Sequence, residues 1–470
     1  MAQKKPVHIL RYGTVAEKVH LEKAISAYDY LSINGNSAAY VASAIAKFIV
    51  EKFFSKPDKG FFIDPITYAF QNEIKLLRSK SKTTGEEKIK KSVEKLIENY
   101  GYPANKVESN QPITVDDFTS PNTMQEFCAR ILKFQYNLVY SHIEQNDLEK
   151  YFEYAVPGNK SSIPQFRPKF LIAPYFYLDK ADSTFAKWLA INTDFIRMAR
   201  VISNSECDGS KVFAQIVLSK QTLTDVDSVA AIIAAYQNVD CDGITIWVDD
   251  LNEPEASFEE LSGFVQLLKG LSHKPVYNMY GGYFSILLTH KNIKLLAGVS
   301  HGLEYGESRK VYPVGGGIPV SKYYYLPIHQ RLDFTKAYYL LAHTGAIDVT
   351  LPNWGSSEKY YNDICRCDKC KQIIKDEMIN FVEFESKEFY EIHRKDQTLR
   401  RKKASSDTKE NCLYHYLLCK KIEFIRVEKQ SLSNLLDDLR AQEQTYMDCD
   451  ELQENELDYI DVWIRAIKDV

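Results

Sequence analysis

KVFAQIVLS (residues 211–219), GITIWVDD (243–250) and PVYNMYG (275–281) are short β-branched and aromatic runs, separated by DVDSVAAIIAAYQNV (225–239) and SFEELSGFVQLLKGL (257–271). The runs have the length and composition of strands, and the spacers have the period of helices. Strand, helix, strand, helix, strand within seventy residues requires crossover helices and predicts a parallel sheet. The rhythm extends outward in both directions. Upstream lie HILRYGT (8–14), YDYLSIN (28–34), GFFIDP (60–65) and KFLIAPYFYL (169–178), with the helical SAAYVASAIAKFIVEKFF after the second. Downstream lie KLLAGVSHG (294–302) and AIDVTLPN (346–353), the latter preceded by the helical FTKAYYLLAHTG. Such a series predicts an α/β fold, a TIM-like (β/α)8 barrel, over residues 1–353. There are nine runs for eight places. Either the first is a lead-in strand or one of the last two lies outside the barrel.

The remaining segments read as additions. Residues 80–165 are too long for one strand-to-helix connection and carry two helical patterns, GEEKIKKSVEKLIENYGY (85–102) and TMQEFCARILKFQYNLVYSHI (123–143), so a helical insertion is expected. Residues 354–425 form a metal-binding subdomain and 426–470 a helical tail. The polar, basic RKDQTLRRKKASSDTKEN (394–411) reads as a loop, and LYHYLLCKKIEFIRVEKQSLSNLLDDLRAQEQ (413–444) as helix with a wet face.

Composition excludes several classes. The chain has 470 residues, 45% hydrophobic and 26% charged, which rules out disorder, collagen and a small disulfide scaffold. No apolar run approaches the roughly 20 residues of a membrane helix, and MAQKKPVHIL lacks the apolar core of a signal peptide, so a cytoplasmic protein without membrane contact is expected. With 59 basic and 63 acidic residues the net charge is −4, so any nucleic-acid binding would rest on a local basic surface.

Of nine cysteines, Cys128, Cys207, Cys241 and Cys449 are scattered and read as reduced thiols. ICRCDKC (364–370) places Cys365, Cys367 and Cys370 within six residues, and three thiols so close can converge on one tetrahedral ion if a fourth ligand arrives. His415 in CLYHYLLCKK and His393 in YEIHRK are the candidates, with Cys412 weaker. A closed site of this kind would hold a structural Zn2+.

A Cys-x-Cys-x-x-Cys cluster after a βα barrel, completed by a downstream His in a helix ending in basic residues, resembles the zinc subdomain of the tRNA-guanine transglycosylase superfamily. That resemblance favours His415 over His393. It implies a barrel enzyme that exchanges a guanine base in nucleic acid, DNA or tRNA, for a 7-deazaguanine. Its partners would be the nucleic acid and a free purine or 7-deazapurine base, and a homodimer is a compatible assembly. GFFIDPITYAFQ (60–71) is similar in layout to the family's Asp-Ser-Gly-Gly-aromatic-Gln run, with Asp64 at the Asp and Gln71 near the Gln. Pro65-Ile66-Thr67 replaces the small residues, and TIWVDDLNE stands where the family has Gly-Gly-Leu-Ala-Val-Gly-Glu. On one register Asp348 is the nucleophile; if KLLAGVSHG is the eighth strand, His301 or Glu304 is nearest to that place. A divergent branch, one acting on DNA, fits these departures.

The residues themselves allow the chemistry. Base exchange at an N-glycosidic bond needs a carboxylate nucleophile and a second acid/base, and barrel sites lie at the C-terminal ends of strands. Asp64, Asp249, Asp250, His301, Glu304 and Asp348 all fall at or beyond expected strand ends and are the catalytic candidates; each is equally a turn former or cap. Gln71, Gln215, Tyr305 and Arg309 are the candidate substrate contacts. In 303–333, Arg309, Lys310, Lys322, His329 and Arg331 stand among Tyr305, Tyr312, Tyr323, Tyr324 and Tyr325, either as a base-stacking surface or as an aromatic patch over the barrel rim. Gly315-Gly316-Gly317 lacks the Lys-Ser/Thr of a phosphate loop. Two other functions suit the same pattern: a nucleic-acid-binding or assembly protein without catalysis, and an unrelated barrel hydrolase using Asp64 with Asp249 or Asp250.

Overall fold

The computed structural model describes residues 5–13, 17–53, 56, 58–80, 85–144, 147–150, 166–304, 306–312, 321–394, 397–449, 452 and 456–470, with the backbone alone described at 388–394, 397 and 399–403. The apolar runs become nine parallel strands: β1 (Val7–Tyr12), β2 (Tyr30–Asn34), β3 (Gly60–Asp64), β4 (Leu171–Ile172), β5 (Tyr177–Leu178), β6 (Val212–Leu218), β7 (Gly243–Val248), β8 (Val276–Asn278) and β9 (Gly298–Gly302). They pair in the order β3-β2-β1-β9-β8-β7-β6-β4, with β5 beside the far end of β6. Position along the chain follows position along the sheet, and the last strand pairs with the first, so the sheet curls. At its two edges the Lys169 N–H, just before β4, donates to Phe61 O of β3 at 2.8 Å.

Register assigns the two faces. Arg11 lies opposite Ser32 and Gly302, and side chains in register share a face. Arg11 reaches Asp64 at the end of β3 and the ring of Trp247 on β7, which only the concave side of a curled sheet allows. On that side, Phe62, Phe170, Phe213 and Tyr277 stack at the N-terminal end, with Phe170 and Phe213 3.8 Å apart. They form an apolar floor beneath Gln215, Thr245, Ser32 and Ser300.

Helices cover the outer face: α1 (Ala42–Phe53), then α2 (Lys91–Tyr100) and α3 (Pro121–Asn137) of the insertion, α4 (Phe185–Glu206), α5 (Val226–Gln237) and α6 (Phe258–Leu271). Asp225 caps α5 by accepting from Ser228 N–H, and Ser257 with Glu260 forms a capping box on α6. β10 (Tyr323–Tyr325) and β11 (Gln330–Leu332) follow as an antiparallel pair, then α7 (Phe334–His343) and α8 (Asp368–Ile374). β12 (Lys387–Arg394) and β13 (Gln397–Ala404) make a hairpin that leads into α9 (Ser406–Lys429), α10 (Leu432–Met447) and α11 (Tyr459–Lys468). No helix among the described residues is long and apolar enough to cross a membrane.

Four expectations change. KLLAGVSHG supplies the last sheet strand, and 346–353 is a turn off the sheet, with Val349 and Leu351 64% and 49% exposed. KFLIAPYFYL is two short strands, broken around Pro174, which has no N–H for a ladder. The basic segment 394–411 is hairpin and helix start, not loop. The helix expected over 85–102 begins at Lys91, because Glu87–Ile89 pairs with Arg78–Lys80.

Candidate functional site

Two clusters of chemically capable side chains stand out. The first lies at the C-terminal end of the concave face. Asp64 closes β3 and is 1% exposed; its Oδ1 accepts from Ile66 N–H at 3.0 Å and from the Tyr175 hydroxyl at 2.5 Å. Ile66 holds a φ of +47°, and Thr67 fastens the turn by exchanging two hydrogen bonds with the Tyr175 backbone. A β-branched residue in the left-handed region is strained, so this turn is held by its neighbours. Arg11 is 3% exposed, with Nη1 3.7 Å from Asp64 Oδ2 and its guanidinium over the rings of Tyr280 (4.8 Å) and Trp247 (5.8 Å). Among the described residues none of its three nitrogens has a hydrogen-bond partner, nor do Asp64 Oδ2, Gln215 Nε2, Ser32 Oγ and Ser300 Oγ.

Asp249 sits past the end of β7, half-buried, at the rim. Its Oδ1 accepts from Val311 N–H at 2.7 Å and its Oδ2 from the Tyr177 hydroxyl at 3.1 Å, and burial raises its pKa. Tyr68 stacks on Tyr175 and meets Trp247 and Tyr312 edge-on, joining the two carboxylates by an aromatic wall. Arg309 donates to the Tyr280 hydroxyl at 3.3 Å, and its carbonyl accepts from Trp247 Nε1 and Asp250 N.

The other candidates fall elsewhere. Gln71 has both ends of its amide engaged by the Tyr177 backbone, so it braces β5. Gln215 faces the concave interior with Oε1 accepting from Thr245. Asp250 has a φ of +54° and pairs with Lys310 at 3.5 Å outside the mouth. Asp348 lies off the sheet and exposed, its carboxylate accepting from Thr350 N–H and hydroxyl. His301 alternates with the inward Ser300 and points outward: its Nε2 lies 3.1 Å from His8 Nε2, and His8 stacks on Phe424 of α9. Burial lowers both rings, His8 to about 3. Glu304 pairs with Lys409 at the start of α9. Tyr305 and Gly315-Gly316-Gly317 lie outside the described residues, and His393 outside the described side chains. Tyr323–Tyr325 is a buried strand packed beneath α9, the aromatic-patch alternative.

The second cluster brings together Cys365, Cys367, Cys370 and His415, all buried, with ligand atoms within 4.8 Å of one another. Cys367 caps α8 with its thiol toward Cys370 N–H, and α9 delivers the His415 ring. His415 Nε2–H donates to Tyr324 O at 2.8 Å, which leaves Nδ1, 3.3 Å from both Cys367 and Cys370 Sγ, with its lone pair inward. A carbonyl that fixes the tautomer and a ring aimed at three thiols is the arrangement a metal-ligating imidazole requires. Three thiolates buried together also need a cation to neutralise them, so the donor set fits a metal ion.

Sequence reasoning missed two participants. Cys419, four residues after His415, brings its Sγ to 3.6 Å from His415 Nδ1 and 3.7 Å from Cys365 Sγ; the i, i+4 spacing on a helix was the available signal. Arg11 was readable as the one charge inside an otherwise apolar strand run. No protein-family model matches the chain, and no curated protein matches it.

Proposed function

We propose that the protein is a transglycosylase-like enzyme that exchanges a guanine base in nucleic acid, DNA or tRNA, for a 7-deazaguanine. The carrying observation is the mouth: two carboxylates at different depths, joined by aromatic rings, around a buried guanidinium with no acceptor. The curled sheet is read as a (β/α)8 barrel, and the mouth then lies where barrel enzymes act. A flipped base can reach the buried Asp64, whereas a sugar stays at the rim beside Asp249.

In this reading Asp249 attacks the sugar carbon C1′. The C1′–N9 electron pair leaves with guanine, which takes up one proton, and a glycosyl ester remains on Asp249. The incoming base loses its N9 proton, its freed electron pair re-forms the bond to C1′, and the carboxylate is released. The proton given up by the incoming base offsets the one taken up by guanine and passes through solvent at the rim, while Asp64, deeper in the mouth, is placed to hold the base, with Gln215 beneath it. The metal is read as zinc, since three thiolates and one imidazole match its tetrahedral preference, and it would tie α9 to the sheet. A cytoplasmic protein with nucleic acid and a free base as partners follows. The position of Asp348 favours the second reading, a nucleic-acid-binding protein without turnover.

Incubation of the full chain with labelled guanine and either DNA or tRNA tests this. Label incorporation, abolished in Asp249→Asn and reduced at least about a hundredfold in Asp64→Asn, is expected. Salt-dependent binding without incorporation selects the second reading.

A further inference from the structure

Within the mouth, Arg11 is the side chain whose chemistry is least accounted for. A guanidinium carries five N–H donors in a planar fork, and a buried one is ordinarily matched by acceptors. Among the described residues the anion paired with it is Asp64, at 3.7 Å and without a hydrogen bond between them, and the rings of Tyr280 and Trp247 supply the remaining attraction. The cluster therefore presents a donor fork without an acceptor beside a carboxylate oxygen without a donor among the described residues, both buried against aromatic rings. A ligand that satisfies both must be flat and must carry two adjacent acceptors followed immediately by a donor.

Guanine has that order along one side of its ring system: N7 and O6 accept, and N1–H donates. Adenine places an amino donor where O6 would be and turns it toward the guanidinium. Cytosine has two acceptors beside its amino group but only one ring to lie against Tyr68, Trp247 and Tyr280. Asp64 Oδ1 is already occupied by Ile66 N–H and the Tyr175 hydroxyl, so Oδ2 is the oxygen left for the base. We propose that Arg11 is a specificity-determining residue that reads the O6/N7 edge of guanine while Asp64 Oδ2 takes N1–H. The inference rests on the base-exchange reading and adds to it the group that selects the base. Arg11 lies at the penultimate position of β1, where the sheet itself fixes its backbone, so the selection is built into the scaffold.

Calorimetric titration of the full chain with free guanine, hypoxanthine, 7-deazaguanine, adenine and cytosine tests the assignment. Hypoxanthine keeps N7, O6 and N1–H and is expected to bind within a few-fold of guanine. Loss of N7 in 7-deazaguanine is expected to weaken binding about tenfold, and adenine and cytosine bind more weakly still. Arg11→Lys keeps the charge without the fork, and its guanine affinity is expected to fall to the level of 7-deazaguanine. Arg11→Gln is expected to abolish the discrimination as well. Equal binding of guanine and 7-deazaguanine by the unaltered protein overturns the inference with no variant needed. So does a preference for adenine or cytosine, a discrimination that survives Arg11→Lys, or no base binding at all. Arg11-dependent discrimination without label incorporation into DNA or tRNA leaves this inference standing and removes base exchange; incorporation without discrimination does the reverse.

Discussion

Two of the molecule's buried charged clusters are treated in opposite ways. Beneath α9, Lys420 is wholly buried, with Nζ 2.6 Å from Glu307 Oε1, 2.8 Å from Glu423 Oε2 and 2.8 Å from the Tyr324 hydroxyl. Glu423 also accepts from Tyr324 and from His329 Nδ1, and His329 lies flat on Tyr283 at 3.4 Å. Burial opposes these charges, yet Lys420 and His329 bring Glu423 down to about 2, and Glu307 and Glu423 raise Lys420 above its ordinary value. No polar side-chain atom of Lys420, Glu307 or Glu423 is left buried without a hydrogen bond. Around Arg11, by contrast, no guanidinium nitrogen has a hydrogen-bond partner among the described residues. A closed network holds elements together, here β10, the turn between β10 and β11, the segment after β9 and α9; an open one keeps its binding capacity for something else.

The largest expected effect concerns the Cys365, Cys367, Cys370 and His415 cluster, which we propose anchors the closed side through a metal ion. Chelation of the metal, or Cys367→Ser or His415→Ala, is expected to remove about one equivalent of metal by elemental analysis and to unfold the region around α8 and the start of α9. Structural zinc sites contribute on the order of 10 kcal/mol. A protein that keeps its unfolding midpoint after complete metal removal would show that the thiol cluster is not a structural anchor. Next, Lys420→Met strands Glu307 and Glu423 in the interior and is expected to cost about 3–5 kcal/mol in denaturant unfolding. A loss below about 1 kcal/mol would mean that the network is not closed in the way the distances indicate.

A third, smaller effect lies at the edge of the closed side. Glu253 is buried, accepts from the Ser285 hydroxyl at 2.5 Å, and has its carboxylate beside that of Glu307 over Gly282. Burial, with Glu307 adding to it, raises Glu253 to about 7. Because the folded value is raised, the unfolded chain loses the proton near pH 4.5 while the folded chain keeps it to about 7, so stability falls across that window and is flat above it. Unfolding free energies at pH 5 and pH 7.5 are expected to differ by about 2 kcal/mol more in the native protein than in Glu253→Gln. Identical pH dependence in the two proteins would remove Glu253 from this role.

Much of this organisation was readable, and the failures share a cause. β6 to β9 were legible because both faces of each strand are buried, which writes continuous apolar runs. ICRCDKC was legible because metal ligation demands clustering. AIDVTLPN alternates as a strand would, but Asp348 closes a turn on Thr350, and Val349 and Leu351 face solvent while Ala346 and Ile347 are buried. On α9, Lys420 and Glu423 have the spacing of a solvated i, i+3 pair, and nothing local reveals that Tyr324, Glu307 and His329 come from distant elements to meet them. Asp64 and Asp249 were eligible from strand ends alone, whereas the outward turn of His301 follows from a register that only the assembled sheet fixes. Local signals reported the rhythm, and partners far along the chain decided which charges are closed.

Arg11 gives the smallest expected change in stability and the sharpest form of the comparison. It makes no hydrogen bond, so Arg11→Met forfeits only the attraction to Asp64 and to the rings of Tyr280 and Trp247, and it also removes the cost of burying a guanidinium without acceptors. Asp64 keeps its hydrogen bonds from Ile66 and Tyr175. In an Asp64→Asn background, where no buried carboxylate is left without its cation, the net change in unfolding free energy is expected to stay within about 1 kcal/mol, against the several kcal/mol of Lys420→Met, although both substitutions delete one buried cation of similar size. Measured side by side, a loss at Arg11 equal to that at Lys420 would show the mouth to be a structural network like the other. A neutral Arg11→Met that has lost base binding would show that the open charge is held there for a ligand, its position maintained by β1 and not by its own contacts.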